Sequence, residues 1–313
     1  MEKNIFKLDN EQLKGIAHAF REKVEEGLNK NNAEIQCIPT FILPKATDVK
    51  GKALVLDLGG TNYRVAIVDF STEKPIIYPN NGWKKDMSIM KSPGYTREEL
   101  FKELADLIVE IKREEEMPIG YCFSYPTESI PGGDARLLRW TKGVDIREMV
   151  GQFVGKPLLD YLNEKNKIRF TGVKVLNDTI ASLFAGLTDK SYDAYIGLIV
   201  GTGTKRPHYP DIHKDIYVQV AHWIYNRSAQ LVAASLAGLI ALLKSYNRDI
   251  HRVCLIAEGS LFWSESRKDK NYNILVMEKL QELLRELELE DVEVHINSMD
   301  NANLIGTGIA ALS

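Results

Sequence analysis

Residues 53–70 read ALVLDLGGTNYRVAIVDF, and this stretch decides the fold. Two β-rich runs flank the turn Gly59-Gly60-Thr61-Asn62. So few residues separate the runs that they must form a hairpin. A glycine turn between strands exposes several backbone N–H groups with no Cβ in the way, and such a concavity suits phosphate oxygens. Gly59 and Gly60 permit close approach, Thr61 and Asn62 supply side-chain donors, and Arg64 supplies charge-assisted ones. Asp57, at the strand end, is placed to organise a water of a Mg²⁺ ion, which usually keeps several waters. An ordinary tight hairpin uses the same residue types, so the turn by itself leaves both readings open.

Outward from the hairpin, residues 9–30 are predicted to be a helix. Leu13, Ile16, Ala17, Phe20, Val24 and Leu28 recur at steps of three or four, and Asp9 or Asn10 caps the start. A second helix is predicted over 95–116, opened by Thr96 with Glu99 three residues later, the spacing of a capping box. An apolar strand over 119–125 ends at Pro126. A strand over 173–176 runs directly into a helix over 177–187, with Asn177 or Asp178 at its start. The pattern then restarts with a strand over 194–200 and a second glycine turn, Gly201-Thr202-Gly203-Thr204. A long helix about 226–244, a strand 251–257, a helix 274–288 and a strand 292–296 follow. The last stretch, NANLIGTGIAALS, reads as a Gly-rich turn into a helix. The echo of glycine turns near residues 59 and 202 suggests one phosphate-gripping turn per domain, on the two sides of a cleft.

Other stretches carry chemistry as well as turns. Leu176-Asn177-Asp178-Thr179 places a carboxylate at a strand-to-helix junction. It is either a helix cap or a general base for an attacking hydroxyl, the group that phosphoryl transfer needs besides electrostatic relief. Phe123-Ser124-Tyr125-Pro126 and, downstream, Arg139-Trp140-Thr141-Lys142-Gly143 mix short or flexible polar groups with apolar ones. That mix suits sugar hydroxyls, although each residue is common in loops. Gly201-Thr202-Gly203-Thr204 and Glu258-Gly259-Ser260-Leu261 are either nucleotide-phosphate contacts or simple turns. No Gly-x-x-x-x-Gly-Lys-Ser/Thr loop occurs, and the protein-kinase motif set is missing. His208, His213 and His222 lack the i, i+4 spacing of a helical metal site.

Composition bounds the rest. The 313 residues suffice for about two domains, and 44% apolar with 27% charged residues is ordinary globular content. A formal net charge of −3 argues against a general nucleic-acid-binding surface, so any phosphate site is local. No apolar run is expected to approach the roughly 18 residues a membrane span needs, and MEKNIFKLDNEQ lacks the apolar core of a secretory signal. Cys37, Cys122 and Cys254 are too scattered for a disulfide framework or zinc site, which fits a reducing cytoplasm.

Taken together, LDLGGTNYRV, FSYP, LLRWTKGVD, LNDT, IGLIVGTGT and EGSLF stand in the order seen in eukaryotic-type hexokinases, and YNRSAQLVAASLAGL resembles that family's long helix. The resemblance covers most of residues 10–204 and resumes at about 217–313. It implies an α/β fold of two actin-like (ribonuclease H-like) lobes with a cleft between them. It also implies ATP- and Mg²⁺-dependent phosphorylation of a hexose, glucose foremost, at its 6-hydroxyl, as at the entry to glycolysis. By that likeness Asp178 is the base, and Ser124, Thr141, Lys142 and Asn177 bind sugar. Asp57, Gly59, Gly60, Thr61, Asn62 and Arg64 face the ATP phosphates and, with Asp57 acting through water, Mg²⁺. Gly201, Thr202, Gly203, Gly259 and Ser260 hold the nucleotide from the other lobe. The expected partner is a small hexose, with no nucleic acid or membrane, in a monomer or homodimer. The lobes are expected at 31–176 (small) and 177–313 (large), with residues 1–30 a helix packing on the large lobe.

One departure stands out. After GTG and one residue, hexokinases place a sugar-binding Asn, whereas this chain has Lys205. The family then runs through a long stretch carrying two sugar-binding glutamates, the first in an Asn-x-Glu-Trp-Gly-like motif, and nothing here matches it. The large lobe as written lacks the strands that would pair with its opening strand. Such an unpaired edge is costly, which favours a sequence that joins segments across missing residues over a chain that is truly shortened. If the glutamates are truly missing, a non-catalytic sugar or nucleotide sensor on the same fold is the alternative.

Overall fold

The computed structural model describes residues 6–44, 49–111, 116–165, 169–201, 214–265 and 270–313. In chain order the elements are α1 (Asn10–Asn29), β1 (Lys52–Leu58), β2 (Asn62–Asp69), β3 (Ile76–Asp86), α2 (Arg97–Ile111), β4 (Met117–Phe123), β5 (Thr127–Ile130), β6 (Asp134–Leu137) and α3 (Lys156–Lys165). Then come β7 (Phe170–Leu176), α4 (Asp178–Gly186), β8 (Ala194–Ile199), α5 (Lys214–Tyr246), β9 (Arg252–Glu258), α6 (Tyr272–Glu286), β10 (Glu293–Asn297) and α7 (Ala302–Ala311). The chain divides into two units: Met1–Cys37 with Ser191–Ser298, and Ile38–Lys190 with Met299–Ser313.

The unit holding Ile38–Lys190 is built on a five-stranded sheet of order β3-β2-β1-β4-β7. The β1–β2–β3 part is antiparallel, and β1, β4 and β7 run parallel. The expected hairpin is the register Lys52↔Asp69 through Leu58↔Tyr63. Strand β1 is buried on both faces, so it reads as a nearly continuous apolar run. Leu54, Leu56 and Leu58 join Tyr63, Val65 and Ile67 in one core layer, which also holds Leu100 and Leu104 of α2 and Leu158 and Leu162 of α3. Val55, Ala66, Val68 and Cys122 join the opposite layer, with Ala181, Phe184, Leu304 and Ile309. That second layer is tight: a Cβ on Gly306 would lie 1.7 Å from the carbonyl oxygen of Ala181, and one on Gly120 would lie 2.4 Å from that of Thr307. Helix α7 is thereby seated against both α4 and β4.

This packing corrects the expected boundary after Leu176. Helix α4 belongs with the five-stranded sheet because α7 returns from the C-terminus to cover it, so the division falls at Lys190 and again at Ser298.

The other unit has a three-stranded parallel sheet of order β10-β9-β8. Helix α1 opens on a capping box, with Asp9 accepting from the Gln12 backbone (2.8 Å) and donating its own N–H to the Gln12 side chain (3.1 Å). Leu13 and Ala17 of α1 pack with Ala233, Ala237 and Ile240 of α5 and with Val276 and Leu280 of α6. A Cβ on Gly238 would lie 2.3 Å from the Ala17 carbonyl oxygen, so α1 and α5 cross in near-backbone contact. Contrary to the expectation of no span-length apolar run, Gln219–Tyr246 is long and apolar enough to cross a membrane by length and composition. Ala229, Ala233, Ala234, Ala237 and Ile240 of that stretch are core residues of this unit. Among the described residues β8 pairs only with β9; the second glycine turn beyond Gly201, the junction of Thr204 with Lys205, His208 and His213 lie outside them.

Candidate active site

The site grows from the β1–β2 register. Asp57 and Arg64 are directly opposite each other, so their side chains share one face of the sheet. Arg64 donates to Asp57 Oδ2 from Nε (2.9 Å) and Nη2 (2.6 Å), and from Nη1 to Oδ1 of Asn301 (3.1 Å). Asn301 precedes α7 in the left-handed conformation (φ 58°) and donates its amide to Oδ1 of Asn81 (2.7 Å). The guanidinium is therefore fixed on two sides, with two of its five N–H donors left for a ligand.

Asp57, Gly59, Gly60, Thr61, Asn62 and Arg64 line a cavity of about 450 Å³. Ser124, just after β4, Lys142 in a loop and Asp178 of α4 add to its wall. Two of the motifs meet at Tyr125. Its hydroxyl donates to the Gly59 carbonyl (2.9 Å), its ring meets Trp140 edge-on (4.7 Å), and the Lys142 ammonium lies 5.3 Å from its ring centre. Lys142 has a positive φ of 60° and donates to the Ser124 carbonyl at 2.8 Å. Its stem crosses so close to Gly60 that a Cβ there would lie 2.4 Å from Lys142 Cδ. A side chain at 60 would therefore force the Lys142 stem to shift, so glycine is favoured there by close approach. Burial pushes the Tyr125 phenol up to about 12.

Asp178 opens α4, with Oδ1 accepting the Thr179 N–H at 2.9 Å. Asn177 is the N-cap, accepting the same N–H at 3.0 Å. Beneath the carboxylates lies Cys122, fully buried, its thiol pushed well up by burial first and then by the charges of Asp57 and Asp178.

The cavity thus gathers eight of the expected phosphate, sugar and base residues besides Gly59, but neither Thr141 nor Asn177 lines it. Thr141 is half-buried and caps its own turn, accepting the Val144 N–H (3.2 Å), and Asn177 faces solvent as a cap. In the other unit Gly201, Gly259 and Ser260 are brought together at the ends of β8 and β9. A Cβ on Gly259 (φ 104°) would lie 2.2 Å from the Val200 carbonyl and 3.0 Å from the Gly201 nitrogen. Thr202 and Gly203 lie outside the described residues. Sequence reasoning missed Asn81, Lys84 and Asn303, which also line the cavity, and Asn301 behind Arg64. Asn303 accepts from the buried Ser182 hydroxyl (3.0 Å), which leaves its amide N–H groups as donors.

Whether a Mg²⁺ ion suits this cavity turns on its donors. Among the described residues no three acidic, His or Cys side chains gather around a metal position. Arg64 occupies one oxygen of Asp57 twice. An ion carried by phosphates and waters, met by Asp57 through water, fits this donor set; a cage of protein ligands does not.

Comparison with known proteins bears on this geometry. A family model described as hexokinase matches residues 2–187, and a second, also described as hexokinase, matches 207–313. A hexokinase of Brugia malayi is 32% identical over 225 residues, covering 68% of this chain and 38% of that protein. Hexokinase-1 of Saccharomyces cerevisiae is 32% identical over 224 residues, covering 68% and 44%. The chain therefore spans less than half the length of these curated relatives. Among solved structures, a hexokinase from Schistosoma mansoni complexed with glucose has a TM-score of 0.74 at 17% identity, covering 98% of this chain and 96% of that one. A second hexokinase crystal structure has a TM-score of 0.78 at 17% identity with the same coverage. The fold is that of the actin-like hexokinases.

Proposed function

The chain belongs to the hexokinase family, and on that premise we propose that it moves the γ-phosphoryl group of ATP onto the 6-hydroxyl of a hexose, glucose foremost. The observation that carries this reading is the single cavity lined by Asp178, Ser124 and Lys142 together with the Gly59–Asn62 turn and the Asp57–Arg64 pair. Phosphoryl transfer needs a positioned nucleophile and relief of charge, and these two residue sets supply one each.

In this reading Ser124 and Lys142 orient the sugar. Asp178 takes the proton of the 6-hydroxyl as that oxygen bonds to the γ-phosphorus, and the bond from phosphorus to the β–γ bridging oxygen breaks to release ADP. The two donors left on Arg64 and the backbone N–H groups of the glycine turn neutralise charge on the phosphoryl oxygens. A Mg²⁺ ion, when bound to the phosphates, supplies further charge neutralisation, and Asp57 would meet it through water. A cytoplasmic setting in glycolysis belongs to the same proposal, supported by three free thiols.

The test is ADP release by the purified chain across a panel of hexoses, with the product examined by phosphorus NMR. Hexose-dependent release with a phosphoester at the 6-oxygen is expected. Release that no hexose accelerates would refute the reading.

A further inference from the structure

The β2–β3 register places Arg64 directly opposite Lys84, two cations side by side on one face of the sheet. Like charges so paired are destabilising unless something lies between them. Arg64 cannot turn away, because Asp57 and Asn301 hold it from two sides. Lys84 has no hydrogen-bond or ion-pair partner among the described residues, although acidic residues are plentiful in the chain. Both side chains line the same cavity. Its charged groups are Arg64, Lys84 and Lys142 against Asp57 and Asp178, which leaves one positive charge uncompensated, and Lys84 is the cation without a partner. Beside it, Asn81 has its amide oxygen occupied by Asn301, so its N–H groups remain to donate.

We propose that Lys84 is a second cation of the phosphate site, gripping the phosphoryl chain of the nucleotide from β3 opposite Arg64. The inference rests on reading this cavity as the nucleotide-phosphate site and adds a residue to it. The opposed cations are the resting form of a clamp: an anionic chain entering between them converts a repulsive pair into two charge-assisted contacts. Lysine fits this position, since a point charge on a flexible stem follows an anion that moves, while the tethered Arg64 fixes the geometry.

Isothermal titration of the full chain with ATP, and separately with inorganic tripolyphosphate, tests this in the wild type, Lys84→Met and Lys84→Arg, alongside ligand-free melting. Lys84→Met is expected to weaken both ligands about tenfold, the loss typical of one charge-assisted hydrogen bond, and Lys84→Arg to restore them. Ligand-free Lys84→Met is expected to melt no lower than wild type, because it relieves the opposed pair. Wild-type binding of both ligands with unchanged affinity in Lys84→Met would overturn the proposal alone. So would equal losses in Lys84→Met and Lys84→Arg with lowered melting, the pattern of a structural role. A wild type that binds neither ligand would overturn the nucleotide-site reading and the proposal with it.

Discussion

The stem of Lys142 lies across Gly60 so closely that a Cβ at Gly60 would stand 2.4 Å from Lys142 Cδ. The Gly59–Asn62 turn and the lysine of the LLRWTKGVD segment therefore constrain each other. A side chain on one would move the other.

Gly60→Ala is expected to displace Lys142 from the Ser124 carbonyl, which it now reaches at 2.8 Å. Misplacement of a positioning group by about 1 Å can cost ~10²-fold in rate. A fall in kcat/KM of that order, with the circular dichroism spectrum unchanged, is the expected result of steady-state kinetics on the variant.

The Asp57–Arg64 pair is largely buried, with side-chain exposures of 9% and 23%. Removing one partner strands the other as an unpaired charge, at a cost of about 3–5 kcal/mol. Arg64→Met is expected to lose stability on that scale in urea unfolding, and Asp57→Asn/Arg64→Met to regain part of it.

Tyr125 is one of several buried tyrosines through which the protein loses stability in alkali. Burial raises its phenol from the ordinary 10.0 to about 12. At pH values between these two, the unfolded chain has released a proton that the folded chain retains. The stability this group contributes is thus complete below pH 10 and is lost as pH rises through about 12. Thermal melts in this window should show the wild type falling more steeply than Tyr125→Phe, which has no phenol to ionise.

How far the chain could be read in advance depends on where its information lies. The β1–β2 hairpin was legible because alternation and a glycine turn are local, and the α1 capping box is local too. Strand β3 was missed because its residues are mostly exposed and show no apolar alternation. Without β3 there is no register opposite Arg64, so Lys84 and Asn81 could not be placed at the cavity. The return of α7 to the five-stranded sheet is likewise non-local. Its signal was the run Gly306-Thr307-Gly308, whose first glycine sits against the backbone of α4 and whose second sits against Phe70. For Asn177 and Thr141 the sugar role rests on family likeness alone; the structure shows a helix cap at one and a turn hydrogen bond at the other.

The central claim is that Asp178 is the base of a hexose kinase, and steady-state turnover with glucose and ATP by Asp178→Ala, paired with calorimetric glucose binding, tests it most directly. A loss of about 10²–10⁴-fold in kcat with glucose binding retained is expected. Near-normal phosphorylation of glucose by Asp178→Ala would contradict it.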